Sequence, residues 1–490
     1  MLEGLEISEV RLSTVVAGVE TMRFDSEYHL KKFIAIDKYK ERNSTRFCKF
    51  NDIGISIDCS AFYPGIEQFY DTGDNYLIRV QNIKNGIIDY ESCATLPYLS
   101  SDYDTLKWVK EGDIVITKGG TIGYTGYVTK AALASRDLIF IKSSNPTVTP
   151  AFSKYLYLYF STDFAFQQLI RSSSQCAQPH LTITLVKDFD ILKASDSFIN
   201  KTTRVYDKSI EKLEHSNTLY EVANNLLLQE LGFENWKQNT EKVSVKSLKD
   251  SFCSSGRLDA EYYQPQYDEV ERKIKCHNWA TLQDLCLLIN HGMQPPYVEN
   301  GEMRVFSQKW IKDKEIDYSF IEDKEGPRTS MDFAEANPDY VCRKNDIVHY
   351  SVGANVGFCH TYLSDVPMMP GSFITLIRAN ENKVNPIYLG VVMNSIVGRL
   401  QSEKRKSGTA QPYVYPKDLK EFFIPVLPTN IQDSIAAKIQ ESFALRHESE
   451  RLLDVAKKAV EIAISENEES AMKYIVENNC RNVAIENTFS

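Results

Sequence analysis

Several groups of side chains in this sequence carry the chemistry of hydrogen-bonded recognition rather than of bond breaking. Arg79, Gln81, Asn82 and Lys84 cluster at the end of one apolar stretch, and Lys118 stands in a glycine-rich loop. Arg171, Gln178 and His180 surround a Gln-Pro turn. Later in the chain Arg304, Ser307, Gln308 and Lys309 repeat the first group, and Asn355, Lys404, Arg405, Lys406 and Gln411 repeat the others. Arg, Lys, Asn and Gln present donors and acceptors that match base edges, and cations or backbone N–H groups satisfy phosphates. The run Glu403-Lys404-Arg405-Lys406-Ser407-Gly408 is the most basic loop in a chain of net charge −10. No one of these residues stands out from a solvated surface; the reading rests on the group, because both sets fall at corresponding places.

Motifs for covalent chemistry fail on inspection. Gly119-Gly120-Thr121-Ile122-Gly123 is followed by no Gly-Lys-Ser/Thr, so a tight turn between strands explains it better than a phosphate cradle. Asn337-Pro338-Asp339-Tyr340 approximates the Asn-Pro-Pro-Tyr loop of DNA methyltransferases, but Asp339 replaces the second Pro and no cofactor loop accompanies it. A nuclease would need clustered carboxylates and a Lys, and only Arg343 and Lys344 follow Asp339. Ten cysteines include no Cys-x-x-Cys pair, and Cys276-His277 has no second ligand pair at metal spacing, so reduced thiols, a cytoplasmic location and no metal are expected. The acidic N-terminus lacks the order of a signal peptide, and no apolar run is long enough to cross a bilayer. No membrane partner is expected.

The elements that must position these groups occur twice. Arg23-Phe24-Asp25-Ser26-Glu27-Tyr28 returns as Arg257-Leu258-Asp259-Ala260-Glu261-Tyr262, a shift of 234 (257 − 23). Gly112-Asp113-Ile114-Val115 returns as Asn345-Asp346-Ile347-Val348, and Ala177-Gln178-Pro179-His180 as Ala410-Gln411-Pro412-Tyr413, both shifted by 233 (346 − 113). Two copies of one domain are implied. In each Arg-x-Asp-x-Glu-Tyr island an Arg–carboxylate bridge is expected to pin the start of the domain.

Each copy reads as a mixed α/β globule followed by a long helix, an α/β (α+β) class overall. Strands are predicted at Tyr76–Val80, Asp113–Thr117 and Leu138–Ile141, and again at Met303–Phe306, Asp346–Tyr350 and Phe373–Ile377. Short helices should open near Tyr155 and Tyr388. From Ser197 to Leu231 the chain has no Pro or Gly, and Tyr206, Ile210, Leu213, Asn217, Tyr220, Asn224, Leu227 and Leu231 step by four and three, a heptad seam. A second helix should start after Pro428, with Thr429 and Gln432 as a capping box, and carry Ile435, Ile439, Phe443 and Leu452 along one face. Antiparallel pairing of the two helices as a coiled coil follows most simply. The expected divisions are globule 1–195, helix 196–232, globule 233–428, helix 429–465 and a polar tail 466–490.

These motifs resemble type I restriction–modification specificity (S) subunits. Phe423-Ile424-Pro425-Val426-Leu427-Pro428 with Gln432 is similar to the family's strand, Pro-x-x-Pro and spacer-helix junction. Ser407–Tyr413 is similar to its Gly-Thr-x-Gln segment, and Gly112–Thr117 with Gly120–Gly123 to its Gly-Asp-Ile-Leu and Gly-Thr-Ile-Gly segments. The first copy departs from the pattern, with Leu192 in place of Pro425 and Ile199 in place of Gln432.

The resemblance implies a non-catalytic reader of double-stranded DNA. Two target-recognition domains would read the halves of a bipartite, asymmetric site. Helices of about 50 Å would space the halves on the order of 10–15 base pairs from end to end. Two methyltransferase subunits would dock on the helices and hold the S-adenosylmethionine, so no cofactor is expected in this chain. Restriction motor-nuclease subunits join such complexes in the full system. Two alternatives stay open: service to a fused methyltransferase–nuclease enzyme, and a protein–protein scaffold, which the acidic net charge favours.

Overall fold

A computed structural model of the chain describes residues 7–16, 24–84, 86–144, 148–173, 180–239, 241, 243–408 and 411–479. The strands expected from continuous apolar runs form, and they form twice. Ile114–Thr117 and Leu138–Ile141 are buried throughout and pair antiparallel, Leu138 opposite Thr117. Ile347–Tyr350 and Ile374–Ala379 repeat the pairing, Ile374 opposite Tyr350. The first pair sits between Ile57–Cys59 and Thr125–Tyr127, the second between Cys286–His291 and Cys359–Thr361. A second sheet in each copy is built on a parallel pair, Asn75–Ile78 with Ala132–Ala134 and Met303–Phe306 with Met368–Pro370. A two-stranded ribbon closes each globule: Phe47–Lys49 with Asp190–Leu192, and Trp279–Thr281 with Phe423–Pro425.

The repeated Asp-Ile-Val islands have a local physical cause. Asp113 and Asp346 are buried and accept from the backbone N–H three residues earlier, Lys110 and Arg343, at 2.9 Å in both. The residue before each carboxylate has φ of +89° (Gly112) or +72° (Asn345), the left-handed region that Gly and Asn tolerate best. Asp346 also takes two bonds of 2.7 Å from the Arg378 guanidinium.

The short helices are Pro150–Phe160 and Pro386–Asn394, each opened by Pro after a side-chain cap, Thr149 or Asn385. Their openings lie five and two residues before Tyr155 and Tyr388. These tyrosines, 233 apart, are fully buried and donate to the carbonyls of Leu192 (2.9 Å) and Pro425 (2.8 Å), the last residues of the closing strands.

The long helices run from Asp196 to Glu230 and from Thr429 to Ser465, 35 and 37 residues. At 1.5 Å per residue they are about 52 and 56 Å long. The chain separates into two compact units: unit 1 is Met1–Glu211 with Glu448–Ser490, and unit 2 is Lys212–His447. Each unit thus owns part of both helices. In unit 1 Val205 and Tyr206 share a core with Leu452, Ala456 and Val460. In unit 2 Ser216 Oγ donates to Ser442 O at 2.7 Å and Ser442 Oγ to Ser216 O at 2.8 Å, while Leu227 and Leu231 share a core with Ile435. The helices therefore pair antiparallel within each unit.

The seam differs from its expected register. Tyr206 and Leu227 lie on it, but Ser209, Ser216 and Ala223 are buried in place of Ile210, Asn217 and Asn224. Asn217 is exposed and accepts from Arg446 at 2.6 Å. The facing helix buries Ser442, Ser449, Ala456 and Ala463, again one small residue per seven. Small side chains let two backbones approach, which is why hydroxyl-to-carbonyl bonds can form across the pair.

Gln432 does not close a capping box. It is buried, its carbonyl oxygen accepting from Asn385 N–H (2.9 Å) and its amide donating to Leu427 O (2.8 Å), so it bolts the helix start to the globule. Ile199, its counterpart in the first copy, is buried in an apolar core. The segment expected as a polar tail is in part a packed helix, Glu468–Asn479. Its Ala471 and Ile475, one turn apart, join the core of unit 1, and Glu468 accepts from Ser195 N–H at 2.8 Å. No helix among the described residues is long and apolar enough to cross a membrane.

Candidate nucleic-acid interface

The two copies share one backbone junction where three loops meet. In unit 1, Lys118 N–H donates to Asp137 O (2.9 Å), Lys118 O accepts from Leu181 N–H (3.0 Å), and Gly119 bridges to His180. In unit 2, Ser351 N–H donates to Phe373 O (3.1 Å), Ser351 O accepts from Val414 N–H (3.0 Å), and Val352 bridges to Tyr413. Gly120 and Gly353, the next residues, both have positive φ, +75° and +112°. One frame therefore carries two different sets of side chains.

In unit 1 the junction is polar. Lys118 and Asp137 are half-buried and His180 is exposed, with its Nδ1 3.1 Å from Lys118 O. In unit 2 it is aromatic. Tyr413 and Tyr415 have ring centroids 4.0 Å apart, and Tyr413 Oη lies 2.6 Å from His291 Nε2. Burial pushes the Tyr413 phenol up and the His291 imidazole down, so both stay neutral near pH 7. Phe373 is 48% exposed and Tyr415 44%.

A second shared position is the tight turn after the parallel pair. Arg79-Val80-Gln81-Asn82 and Ser307-Gln308-Lys309-Trp310 adopt the same single 3-10 turn, which aligns Gln81 with Lys309. Both are exposed. Asn82 is fully buried: it accepts from Arg79 N–H (2.8 Å) and donates to Ser92 O (2.8 Å), so it shapes the turn and is removed from the side chains able to reach a base. Arg79 lies over the Tyr70 ring at 4.9 Å. Arg304 instead holds the carbonyls of Phe320 (3.2 Å) and Asp323 (2.9 Å), which is a structural task. Ser307 Oγ and Gln308 Oε1 are buried with no hydrogen-bond partner among the described residues.

The basic run is not a loop. Lys404 and Arg405 end the helix Ile396–Arg405 and point inward. The Lys404 ammonium sits 2.5 Å from Glu271, and Arg405 packs over the Phe422 ring at 5.3 Å. Lys406 is half-buried and pairs with Glu403. Arg171 is likewise committed, to Asp37 (2.5 Å) and Tyr28 O (3.0 Å). Asn355 and Gln411 are exposed. Gln178 and the Lys84 side chain lie outside the described residues, as does Arg23. Arg257, its counterpart, grips Asp259 through two bonds of 2.8 and 2.5 Å, and that bridge holds Asp259 below the usual carboxylate range.

The family model for the type I restriction modification DNA specificity domain matches residues 47–192 and 283–453. The chain belongs to that family. The first match begins and ends on Phe47 and Leu192, which face each other in the ribbon that closes the first specificity domain. Among solved structures, the S subunit of a type I restriction–modification system from M. genitalium is 13% identical, with 88% of this chain and 95% of that chain covered and a TM-score of 0.38. The HsdS subunit from Thermoanaerobacter tengcongensis is 16% identical, covering 86% of this chain and 94% of that one, with a TM-score of 0.26. The family assignment rests on the matched sequence, since likenesses at these TM-scores carry no argument. A comparison with curated protein sequences gives no match.

Sequence reasoning misses Asp137, His291, Phe373, Tyr413 and Tyr415 as members of the specificity-domain junction. The repeat could have supplied Tyr413 from His180, which lies 233 residues earlier. Phe373 could not be found this way, because its match to Asp137 needs a shift of 236 (373 − 137).

Proposed function

We propose that this chain is the DNA sequence-recognition subunit of a type I-like restriction–modification complex, with no catalysis of its own. Each unit reads one half of a bipartite asymmetric site in double-stranded DNA. The paired helices dock two methyltransferase subunits, which bind the methyl donor, and restriction subunits join the assembly. The observation that supports this reading best is one backbone frame carrying unlike side chains at its surface: Gln81 against Lys309, and Asp137 against Phe373. A shared frame can approach the duplex in one way in both units, while different side chains select different bases.

The test is co-expression with a cognate methyltransferase followed by sequencing of methylated positions. A split motif with a fixed spacer is the expected result. A stable complex that methylates nothing, together with binding to DNA that does not weaken as salt rises, would favour a protein scaffold instead.

A further inference from the structure

The tight turn Ser307–Trp310 of unit 2 runs straight into a hairpin whose tip is tied to the long helices. Ile311 and Ile316 form its buried root, bridged to each other, and Lys312 N–H donates to Glu315 O (2.8 Å) across the tip. Asp317 N–H donates to Trp310 O (2.8 Å), which joins the end of the turn to the returning side of the hairpin. Three tip residues then reach outward. The Asp313 carbonyl accepts from Asn394 Nδ2 and Arg399 Nη2, both at 2.8 Å, and the same Asn394 amide donates to Tyr220 Oη (2.8 Å) on the helix Asp196–Glu230. Lys314 pairs with Glu221 of that helix, and Glu315 with Arg446 of the helix Thr429–Ser465, each at 2.5 Å. One four-residue tip therefore grips both helices of the pair.

Unit 1 builds the same hairpin without those charges. Ile83 pairs with Ile88, and Gly86 and Ile87 stand where unit 2 has Lys314 and Glu315, a shift of 228 (314 − 86). Gly86 O accepts from Tyr157 Oη at 2.7 Å. A Cβ at Gly86 would lie 2.7 Å from Tyr157 Oη and 3.2 Å from Lys457 Nζ of the second long helix, so this tip too is seated closely. A hairpin kept in place while its contacts change from ionic to neutral fits a positional task.

Resting on the reading of the chain as a DNA reader, we propose that Lys314 and Glu221 are positioning residues for half-site recognition by unit 2. Their ion pair seats the hairpin on the helix, and the hairpin holds the turn, with its exposed Lys309, at a fixed place relative to the helix pair. The turn follows the sheet built on Met303–Phe306, whereas Leu227, Leu231 and Ile435 of the helices share a core with Ile347 and Ile377 of the other sheet. The hairpin thus ties the turn to the helices directly, without passing through that core. A recognition side chain discriminates when it is held within about 0.5 Å of its working geometry. An ion pair with both side chains partly exposed adds little to stability, so its effect lies in how closely the tip is held.

The experiment is methylation mapping of the intact complex with the wild-type chain, Lys314→Glu, Glu221→Lys and the double variant that exchanges the two charges, each checked by thermal unfolding. Each single variant is expected to lower discrimination between matched and singly mismatched sites roughly two- to tenfold. The loss should fall in one half-site, the same for both variants, with the other half-site and the unfolding temperature little changed. The double variant should restore discrimination, because the ion pair re-forms with its charges exchanged. If the wild-type complex methylates a split site and the single variants keep every base preference, or the exchange fails to restore it, the inference fails and the proposed function stands. Equal losses in both half-sites would assign the pair to assembly of the complex and also overturn the inference. If the wild-type complex directs no split methylation, the proposed function fails and takes the inference with it.

Discussion

His349 is fully buried in the strand Ile347–Tyr350, its Nδ1 3.0 Å from Ser351 Oγ and its Nε2 3.3 Å from Ser402 Oγ, and His360 is buried with Nε2 3.0 Å from Lys312 O. Burial pushes His349 from the ordinary 6.5 down to about 3 and His360 to about 4. An unfolded chain takes up both protons as pH falls through 6.5, whereas the folded unit resists until about 4 and 3, so stability is complete above 6.5 and lost below it. At pH 5 each histidine should cost unit 2 about 2 kcal/mol. Urea unfolding at pH 7.5 and 5 checks this, and a His349→Gln variant with the same pH dependence as wild type would refute it. The carboxylate of Asp346 offers a second test at this scale. Asp346→Ala strands the Arg378 guanidinium and removes a turn bond, for an expected loss of about 3–5 kcal/mol, read as a lower Tm. The buried Lys404 and exposed Lys309 should separate cleanly. Lys404→Ala should destabilise the fold by about 2 kcal/mol or more with the salt dependence of DNA binding unchanged. Lys309→Ala should leave stability within about 0.5 kcal/mol and shallow the salt slope by about one.

The helix pair shows how far pattern reading reaches at the level of elements. Its four-and-three spacing is legible because Tyr206, Leu213, Tyr220 and Leu227 are large and recur every seven residues. The positions between them are not, because hydrophobicity cannot mark Ser209 or Ser216 as core when the reason for their burial is small size. The same limit applies elsewhere. Lys404 and Arg405 read as a basic loop until the helix that carries them is seen to turn both inward, and Ala471 and Ile475 are too few to mark a helix in an acidic stretch. Strands such as Leu138–Ile141 are legible because every residue is apolar and all are buried. Ser216→Leu or Ser442→Leu should overpack the close contact and cost about 1–3 kcal/mol, whereas Asn217→Leu should cost less than about 0.5 kcal/mol. Thermal unfolding of the three variants decides the register, and equal losses would defeat it. Removing residues 468–479 should destabilise unit 1 and spare unit 2, a difference that limited proteolysis can resolve.

At the scale of the whole molecule, the repeat is more regular in backbone than in sequence. Strand order, the closing ribbon and the tyrosine bolts agree between the units, while the shift between equivalent residues drifts from 228 at the turns (307 − 79) to 236 at the central strands (374 − 138). Insertions and deletions of a few residues sit in the loops, which is where the proposed reading of unlike half-sites would require the units to diverge. The division of the chain has a consequence for its synthesis. Unit 2 is one uninterrupted stretch, Lys212–His447, but unit 1 is made of two stretches with all of unit 2 between them. As the ribosome delivers the chain from its N-terminus, the first globule emerges early with Phe198, Val205 and Tyr206 lacking their partners Leu452, Ala456 and Val460. The later-made unit can finish first, and the earlier one must wait for some 235 further residues, at roughly 5–20 residues per second. A ribosome that stops short of the C-terminal helix leaves behind a half-built nascent chain whose amphipathic helix has an uncovered apolar face, a substrate for chaperones rather than a working half-protein.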